Sequence, residues 1–232
     1  MSALAPFAVT QKWPAKDPSV IQLYSFPTPN GVKASIMLEE TGLPYEPHKV
    51  TLADADVKSP EFLSLNPNNK IPAIIDPNGP DGEPIGLFES GAILLYLAEK
   101  TGKFIGQSAS DKHHITQWLM FQMGGIGPMF GQLGFFHKFA GRQIEDPRPR
   151  ERYVAEAKRL LNVLNTQLEG QDWVAGDYSI ADMAIAPWLR GLDFYEAKDL
   201  VDWDDHANVV AYLDRFLERP AVQKGLVTPA RD

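Results

Sequence analysis

The chain has 232 residues, and its 22 Lys and Arg against 30 Asp and Glu give a formal net charge of −8 at pH 7. It contains no cysteine, which excludes a disulfide scaffold, a cysteine-ligated zinc or iron–sulfur site and a cysteine nucleophile. The acidic balance argues against nucleic acid as a partner, because neutralising phosphates requires clustered Lys and Arg. Any thiol chemistry must therefore use a thiol carried by a ligand.

Residues 1–19 are expected to form a loosely ordered N-terminal arm. They contain three prolines and no apolar stretch after a basic start, so a signal peptide is not expected. Residues 115–136 carry no formal charge and approach the length that spans a bilayer. The glutamines, the proline and the glycines within this stretch favour a buried, kinked helix instead. We therefore expect a cytoplasmic protein that does not contact a membrane.

Strand and helix signals alternate through the first half of the chain. Short apolar runs predict strands over residues 20–24, 45–52, 71–75 and 85–88. Helices are predicted to begin near Asn30, at Ser59 with Pro60 in the first helical position, and at Ser90, because these residue types favour helix starts. The resulting order, β-α-β-α-β-β-α, predicts a small α/β domain over residues 20–101.

The remainder of the chain shows only helical patterns. Residues 102–110 are predicted to be a linker, and residues 111–232 an all-helical domain. Its helices are expected within 111–139, over 150–168, after Ser179, and over 208–219 with a stop at Pro220. Ser179 and Asp182 resemble a capping box with Asp in place of Glu, which gives Asp182 a structural role.

The first strand-to-helix junction carries Thr28, Pro29 and Asn30. Unpaired backbone N–H groups and the helix dipole make such a junction a suitable place for an anion, including a thiolate. The Thr28 hydroxyl and the Asn30 amide offer two further donors. The alternative is that both side chains only cap the helix.

Two other junctions carry polar residues. Pro72 is expected at the start of a strand because it cannot donate to the ladder, and a cis Ile71–Pro72 bond would turn the Ile71 backbone groups outward. Lys70 either pairs with a carboxylate or is simply solvated. Ser90 is expected to cap its helix, and its hydroxyl with nearby N–H groups can also bind a carboxylate. Glu89 either holds an ammonium group or is a surface charge near a helix start.

Four stretches of the chain form a recognisable set: YSFPTPNGVK, SPEFLSLNPNNKIPAI, LFESGAILLYLAEKTG and VAGDYSIADMAIAPW. Together they resemble the cytosolic glutathione transferases, over roughly residues 20–225. The TPN signature at 28–30 and GGIGPMFGQ at 124–132 resemble the Nu class most, which includes glutathione-dependent disulfide-bond reductases. The resemblance implies an N-terminal thioredoxin-like domain that binds glutathione, a C-terminal helical bundle domain that supplies the second-substrate pocket, and a homodimer.

The resemblance also implies roles for individual residues. Thr28 and Asn30 would act on the glutathione sulfur as the catalytic pair. The implied glutathione-binding residues are Lys70, Ile71 and cis Pro72 for the glycyl carboxylate and cysteinyl backbone, Glu89 and Ser90 for the γ-glutamyl amine and carboxylate, and Arg152 near the bound peptide.

At three positions the roles implied by the resemblance are uncertain or have no match in this chain. Arg152 is equally well explained as a helix-surface arginine. Val57 stands where some Nu-class members have a glutamine, so one glutathione contact is missing there or Lys58 replaces it. The serine or tyrosine that activates the thiol in other classes has no reliable match, although Ser25 lies in the corresponding region.

The remaining candidates are weaker. His113 and His114 are adjacent in sequence and so face different sides of a helix, which argues against a metal pair, and no metal is expected. His137 either faces a cleft or is satisfied by local contacts. The glycines at 124, 125, 127 and 131 permit either close packing or a wide cleft.

These observations predict a glutathione-dependent enzyme, with glutathione as co-substrate. A bound thiolate would attack a small disulfide, peroxide or electrophilic carbon. The alternative is a non-catalytic glutathione binder, ligand carrier or regulatory protein on the same fold. The joint presence of Thr28, Asn30, Lys70, Glu89 and Ser90 favours the enzyme, because a scaffold needs none of them.

Overall fold

The computed structural model describes residues 3–231. The first half comprises α1 (Val9–Lys12), β1 (Ile21–Ser25), α2 (Gly31–Thr41), β2 (Tyr45–Lys49), α3 (Asp54–Val57), α4 (Pro60–Leu65), β3 (Ala73–Asp76), β4 (Ile85–Phe88) and α5 (Ser90–Thr101). The second half comprises α6 (Ala109–Phe121), α7 (Gly127–His137), α8 (Arg148–Gln167), α9 (Ile180–Phe194), α10 (Ala207–Leu217) and α11 (Pro220–Gly225). The chain divides into two compact units: Gly102–Arg219 forms one, and the residues before and after it form the other.

The first unit is built on a four-stranded sheet in the order β2-β1-β3-β4. Strand β1 runs parallel to β2 and antiparallel to β3, which is in turn antiparallel to β4. All residues of β1 and β3 are buried, as expected for central strands covered on both faces. This is the thioredoxin-like domain that was expected, with α2 and α5 packed against each other.

The N-terminal arm is ordered, which corrects the expectation of a loose segment. Leu4 and Val9 are 4% and 0% exposed, and both belong to a core cluster that includes Tyr24 and Phe62. The Trp13 indole N–H donates to the Lys49 carbonyl at 3.0 Å. Prolines suggested disorder, but the apolar residues between them bury enough surface to fix the segment. Met1 and Ser2 of the expected arm lie outside the described residues.

The end of the chain also differs from expectation, because Pro220 begins α11 rather than ending the helical part. The Ser35 hydroxyl of α2 donates to the Gly225 carbonyl at 2.6 Å. A Cβ added at Gly225 would lie 2.6 Å from the Ile36 Cα, so the backbones of α2 and α11 are in close contact. Residues from Pro220 onwards therefore belong to the first unit and not to the helical domain.

The second unit is helical throughout. A π-helical turn at Gln122–Ile126 joins α6 to α7, so the expected kinked helix is present. Added Cβ atoms at Gly127 and Gly131 would each lie 3.4 Å from the Trp188 side chain, whereas nothing lies within 4 Å of one at Gly124. Gly127 and Gly131 thus allow α7 to pack closely against Trp188 of α9. Within residues 3–231 no helix has the length and apolarity needed to cross a membrane.

Asp182 holds the start of α9, as its capping-box position indicated. Its carboxylate accepts from the Val174 N–H at 3.1 Å and the Ser179 N–H at 2.8 Å. The side chain is fully buried, and this burial raises the pKa of Asp182 to about 6, although the hydrogen bonds oppose the shift. The residue joins the loop before α9 to the helix itself.

Candidate active site

Three chain segments that carry predicted site residues meet at one edge of the sheet in the first unit. Tyr24, near the end of β1, pairs with Ala73 at the start of β3, and Ala73 pairs with Phe88 at the end of β4. The alternation of strand directions therefore brings together the exit of β1, the entrance of β3 and the exit of β4. Residues 70–72 directly precede β3, residues 89–90 directly follow β4, and residues 28–30 follow β1 after two intervening residues.

At the exit of β1, Thr28 caps the start of α2. Its Oγ1 accepts from the Gly31 N–H at 3.2 Å, and its carbonyl accepts from the Val32 N–H at 3.0 Å. Because a hydroxyl carries one donor and two acceptor sites, Thr28 still has a proton to donate. Asn30 stands at the N-cap position with helical dihedral angles, and its side chain makes no capping hydrogen bond. Of the two side chains, that of Thr28 therefore caps the helix, whereas that of Asn30 does not.

Gly31 allows this junction to be tight. An added Cβ would lie 1.9 Å from the Phe26 carbonyl oxygen and 2.7 Å from Ser25 Oγ. The buried Ser25 hydroxyl donates to the Gly31 carbonyl at 3.2 Å. Ser25 thus closes the turn, which agrees with leaving it out of the catalytic pair.

The loop before β3 is organised by Asn66, which the sequence reading missed. Its amide donates to the Lys70 carbonyl, and its side-chain oxygen accepts from the Asn68 N–H at 2.9 Å. The Ile71–Pro72 bond is cis. Strand pairing begins only at Ala73, so Ile71 lies ahead of the ladder, while the Lys70 side chain is exposed.

At the exit of β4, Glu89 adopts a left-handed conformation with φ of 71°. Non-glycine residues held in this region are strained and cluster at functional sites. The Glu89 carbonyl accepts from the Ile93 N–H at 2.9 Å, so Glu89 occupies the N-cap position. The expectation that Ser90 is the N-cap was wrong, because Ser90 is the first residue of α5. Its side chain is buried and bonds to Lys33.

Lys33 is the main residue that the sequence reading did not identify. It lies in the first turn of α2 and is 0% exposed, and its Nζ donates to Ser90 Oγ at 3.2 Å. Burial lowers the pKa of Lys33 to about 7, and the charge of Glu89 opposes this shift. The available signal was spacing, because Ile36 and Met37 lie three and four residues later and share its inward face.

Near the end of the chain, Arg231 contributes a cation beside Pro27. An Nη of Arg231 donates to the Pro27 carbonyl at 3.1 Å, and its guanidinium lies 5.9 Å from the Phe26 ring centroid. A positive charge at this place favours an anion bound at the start of α2. No motif indicated this residue, because it reaches the site from the far end of the chain.

The other predicted residues lie in less distinctive surroundings. Val57 is buried in the core cluster, and the Lys58 ammonium pairs with Asp54 at 2.8 Å. Arg152 on α8 is 70% exposed and lies 3.7 Å from Glu156.

The histidines show no ligand-binding arrangement. His137 Nε2 makes a hydrogen bond with the Glu196 carbonyl at 3.1 Å, whereas its buried Nδ1 has no hydrogen-bond partner among the described residues, so only one of the two ring nitrogens is satisfied. Among the described residues no group of three or more acidic or histidine side chains is placed to hold a metal ion. Donors at the starts of α2 and α5 are suited to binding an anion.

Comparison with known proteins places these features in a family. The model of the glutathione S-transferase N-terminal domain matches residues 19–99, and the model of the C-terminal domain matches residues 147–215. The disulfide-bond oxidoreductase YfcG of Escherichia coli K12 is 45% identical over 210 residues, which cover 90% of this chain and 95% of YfcG.

Solved structures give closer similarity. A glutathione transferase of Burkholderia graminis with two glutathione molecules bound per subunit is 64% identical, with a TM-score of 0.98 and coverage of 100% of this chain and 98% of that one. One from Pseudomonas putida with one glutathione disulfide bound per subunit is 62% identical, with a TM-score of 0.96 and coverage of 97% and 99%. The chain belongs to the glutathione S-transferase family.

Proposed function

We propose that this protein is a glutathione-dependent disulfide-bond oxidoreductase of the Nu type. The observation that carries the proposal is the meeting of three polar junctions at one sheet edge in a chain without cysteine. The donors for an anion at the start of α2 are Thr28 and Asn30. A protein that lacks its own thiol must bring one in, and these donors suit the thiolate of a bound peptide.

The same edge offers a group for each part of glutathione. Glu89 supplies a carboxylate for the γ-glutamyl amine, and the Ser90 hydroxyl with the start of α5 suits the carboxylate beside it. The Ile71 backbone, ahead of the β3 ladder, suits the cysteinyl backbone, and Lys70 suits the glycyl carboxylate. Arg152 enters the proposal from the resemblance alone, as a residue near the bound peptide.

The proposed reaction follows from thiol–disulfide exchange. The bound glutathione thiolate attacks one sulfur of the substrate disulfide, which forms a mixed disulfide and releases the other sulfur as a thiolate that takes up a proton. A second glutathione thiolate then attacks the mixed disulfide and forms glutathione disulfide, releasing the second substrate thiol. Both electrons come from the two glutathione molecules, so the protein contributes orientation and stabilisation of the anion.

The bound species of the relatives agree with this scheme. Two glutathione molecules in the Burkholderia graminis protein match the two thiols consumed, and glutathione disulfide in the Pseudomonas putida protein matches the product. The proposal includes a homodimer and a cytoplasmic location, where the glutathione pool is kept reduced. A peroxide or an electrophilic carbon can receive the same thiolate, so these substrates are tested beside the disulfide.

The test combines a glutathione titration by calorimetry with turnover assays on a glutathione-capped disulfide, a hydroperoxide and an aryl halide. We expect glutathione binding and disulfide reduction in which one glutathione disulfide forms for each substrate disulfide reduced. Binding without turnover on any of the three substrates would replace the proposal by a ligand carrier. A failure to bind glutathione would refute both.

A further inference from the structure

Arg231 lies beside the turn that carries Thr28, although it is the last residue but one of the chain. One Nη donates to the Pro27 carbonyl at 3.1 Å, and the guanidinium lies 5.9 Å from the Phe26 ring centroid, within the range of a cation–π contact. A guanidinium has five N–H donors, and a neutral carbonyl does not cancel its charge. The exposed side chain of Arg231 therefore presents a positive charge and further donors next to the Thr28 turn.

The chain end is also held at this place by groups other than the guanidinium. Helix α11 packs on α2, and the Lys224 ammonium lies 2.8 Å from a carboxylate oxygen of Glu39. The main-chain carbonyl of Arg231 accepts from Lys49 Nζ at 2.9 Å. Lys49 is thus a second cation close to Arg231, in a chain whose net charge is −8.

The order of the strands indicates which reactant this cation faces. In the proposed binding mode the γ-glutamyl group lies at the exit of β4, the peptide backbone at the entrance of β3 and the sulfur at the start of α2. The strand order is β2-β1-β3-β4, so the bound peptide takes the β3 and β4 side of the Thr28 turn. Arg231 is tied instead to Lys49, the last residue of β2. It therefore lies on the side that the bound peptide leaves to an incoming disulfide.

We propose that Arg231 is a substrate-binding residue that takes a carboxylate of the disulfide substrate. The inference rests on the proposed function and adds a preference for anionic disulfides, the class to which a glutathione-capped disulfide belongs. The planar guanidinium matches a carboxylate in shape and charge. An acidic protein repels an anionic substrate, and a local pair of cations offsets this repulsion at the site. The exchange reaction itself is unchanged, because Arg231 only selects the disulfide that the thiolate attacks.

Two disulfides that differ in charge alone test this role. Dithiodipropionic acid and its diamide share one skeleton, and kcat/KM is measured for both with wild type, Arg231→Gln and Arg231→Lys. We expect Arg231→Gln to lower kcat/KM for the diacid about ten-fold, as for loss of one charge-assisted contact. The value for the diamide should change less than about two-fold. Arg231→Lys keeps the charge and should retain part of the preference.

Glutathione affinity, stability and a matched control separate recognition of the disulfide from other effects. Arg231→Gln should bind glutathione with wild-type affinity in calorimetry, because the contact is with the other reactant. It should also melt close to wild type, because a single exposed contact contributes little stability. Arg148→Gln is the control for net charge, since Arg148 is 84% exposed and paired with Asp146 on the helical unit. It should change neither rate.

Equal losses on the diacid and the diamide would overturn the inference, because Arg231 would then only support the Thr28 turn. Unchanged rates on both would overturn it as well, and a loss of glutathione affinity would assign Arg231 to the bound peptide instead. Each of these results leaves the proposed function intact as long as wild type binds glutathione and reduces disulfides. A wild-type protein that reduces no disulfide would refute the proposed function, and the inference with it.

Discussion

Thr28 and Asn30 differ in what they do for the protein without ligand. Thr28 already accepts a hydrogen bond from Gly31, whereas Asn30 does not cap the helix that it begins. Asn30 is of a residue type that favours the N-cap, yet its side chain is not used for the helix cap. The two side chains are therefore expected to respond differently to mutation.

Thr28→Ala and Asn30→Ala should each lower disulfide turnover by about ten- to a hundred-fold, because each removes a donor that we propose for the charged sulfur. Asn30→Ala removes no helix cap, whereas Thr28→Ala removes one and should cost about 1 kcal/mol of stability for that reason. Thr28→Ser is the control, since it keeps the hydroxyl. Steady-state kinetics and thermal melts measure both effects, and wild-type rates in both alanine variants would show that neither residue serves the thiolate.

Glu89→Gln should weaken glutathione binding about ten- to a hundred-fold, because the amide keeps the shape of the side chain but loses the charge that pairs with the ligand ammonium. The change leaves the backbone conformation of Glu89 available to the new residue. Calorimetry at constant ionic strength measures the affinity, and Glu83→Gln in the preceding loop is a control for net charge. An unchanged dissociation constant would remove Glu89 from the site.

The cis Ile71–Pro72 bond is confirmed and the roles of Thr28 and Glu89 stay predictions, whereas sequence reasoning failed for a buried residue of a type that is normally exposed. Thr28, Glu89 and the cis Pro72 stand at strand ends, where polar side chains and proline carry positional meaning. Lys33 was passed over because a lysine in an amphipathic helix is normally assigned to the solvent side. Its burial and its contact with Ser90 show that it lies inside.

In each of the two units, glycines permit close approaches between elements. Gly31 brings the start of α2 against the Phe26 carbonyl, and the π-helical turn before α7 is followed by glycines packed on Trp188. Helix and strand types followed from the hydrophobic patterns. The short helices α1, α3 and α11 did not, because helices of four to six residues depend on tertiary packing rather than on periodicity.

Gly31→Ala should destabilise the first unit strongly, because its methyl group would overlap the Phe26 carbonyl oxygen. We expect a loss of about 2–4 kcal/mol or a shift of the Thr28 loop that abolishes glutathione binding. Gly124→Ala is the matched control, since nothing lies within 4 Å of its added Cβ. Chemical denaturation measures the difference, and equal stability of the two variants would contradict the packing at this junction.

Asp182→Ala should cost about 2–4 kcal/mol, because it leaves the buried Val174 and Ser179 N–H groups without their acceptor. Burial raises the pKa of Asp182 to about 6 in the folded state. In the unfolded chain the pKa of this carboxyl group is near 4, so between pH 4 and pH 6 the folded protein keeps a proton that the unfolded chain loses. The raised pKa therefore contributes fully to the free energy of unfolding below pH 4, and this contribution declines as the pH rises toward 6.

Asp182→Asn removes this titration. The stability of wild type relative to Asp182→Asn should therefore fall as the pH rises from about 4 to 6. Unfolding free energies at several pH values test the sign. A difference that stays constant or grows over this range would show that the carboxyl group is not held in its protonated form by burial.

At the scale of the whole chain, the last residues belong to the first unit. Helix α11 covers α2, and Arg231 reaches the junction that carries Thr28. The sequence could not indicate this return, because a short helix after Pro220 carries no sign of its distant partner. The type of each domain was predictable from the order of its strands and helices, but the return of the last residues to the first unit was not.

Gly225→Val should destabilise the first unit, since a Cβ at this position would lie 2.6 Å from the Ile36 Cα. Because Thr28 and Asn30 stand just before the first residue of α2, we expect weaker glutathione binding together with a lower melting temperature. Val227→Ala is the control, because Val227 is 65% exposed and should change neither. A fully stable Gly225→Val variant would show that α11 is not held against α2.

The central claim is that a protein without cysteine stabilises the thiolate of a bound glutathione. Ultraviolet titration of the thiolate in the saturated complex measures this most directly, with free glutathione as reference. We predict a thiol pKa in the complex well below the value of about 8.5 that is typical of a free thiol, with a return toward that value in Thr28→Ala and Asn30→Ala. A bound thiol that titrates at the same pH as free glutathione would contradict the account.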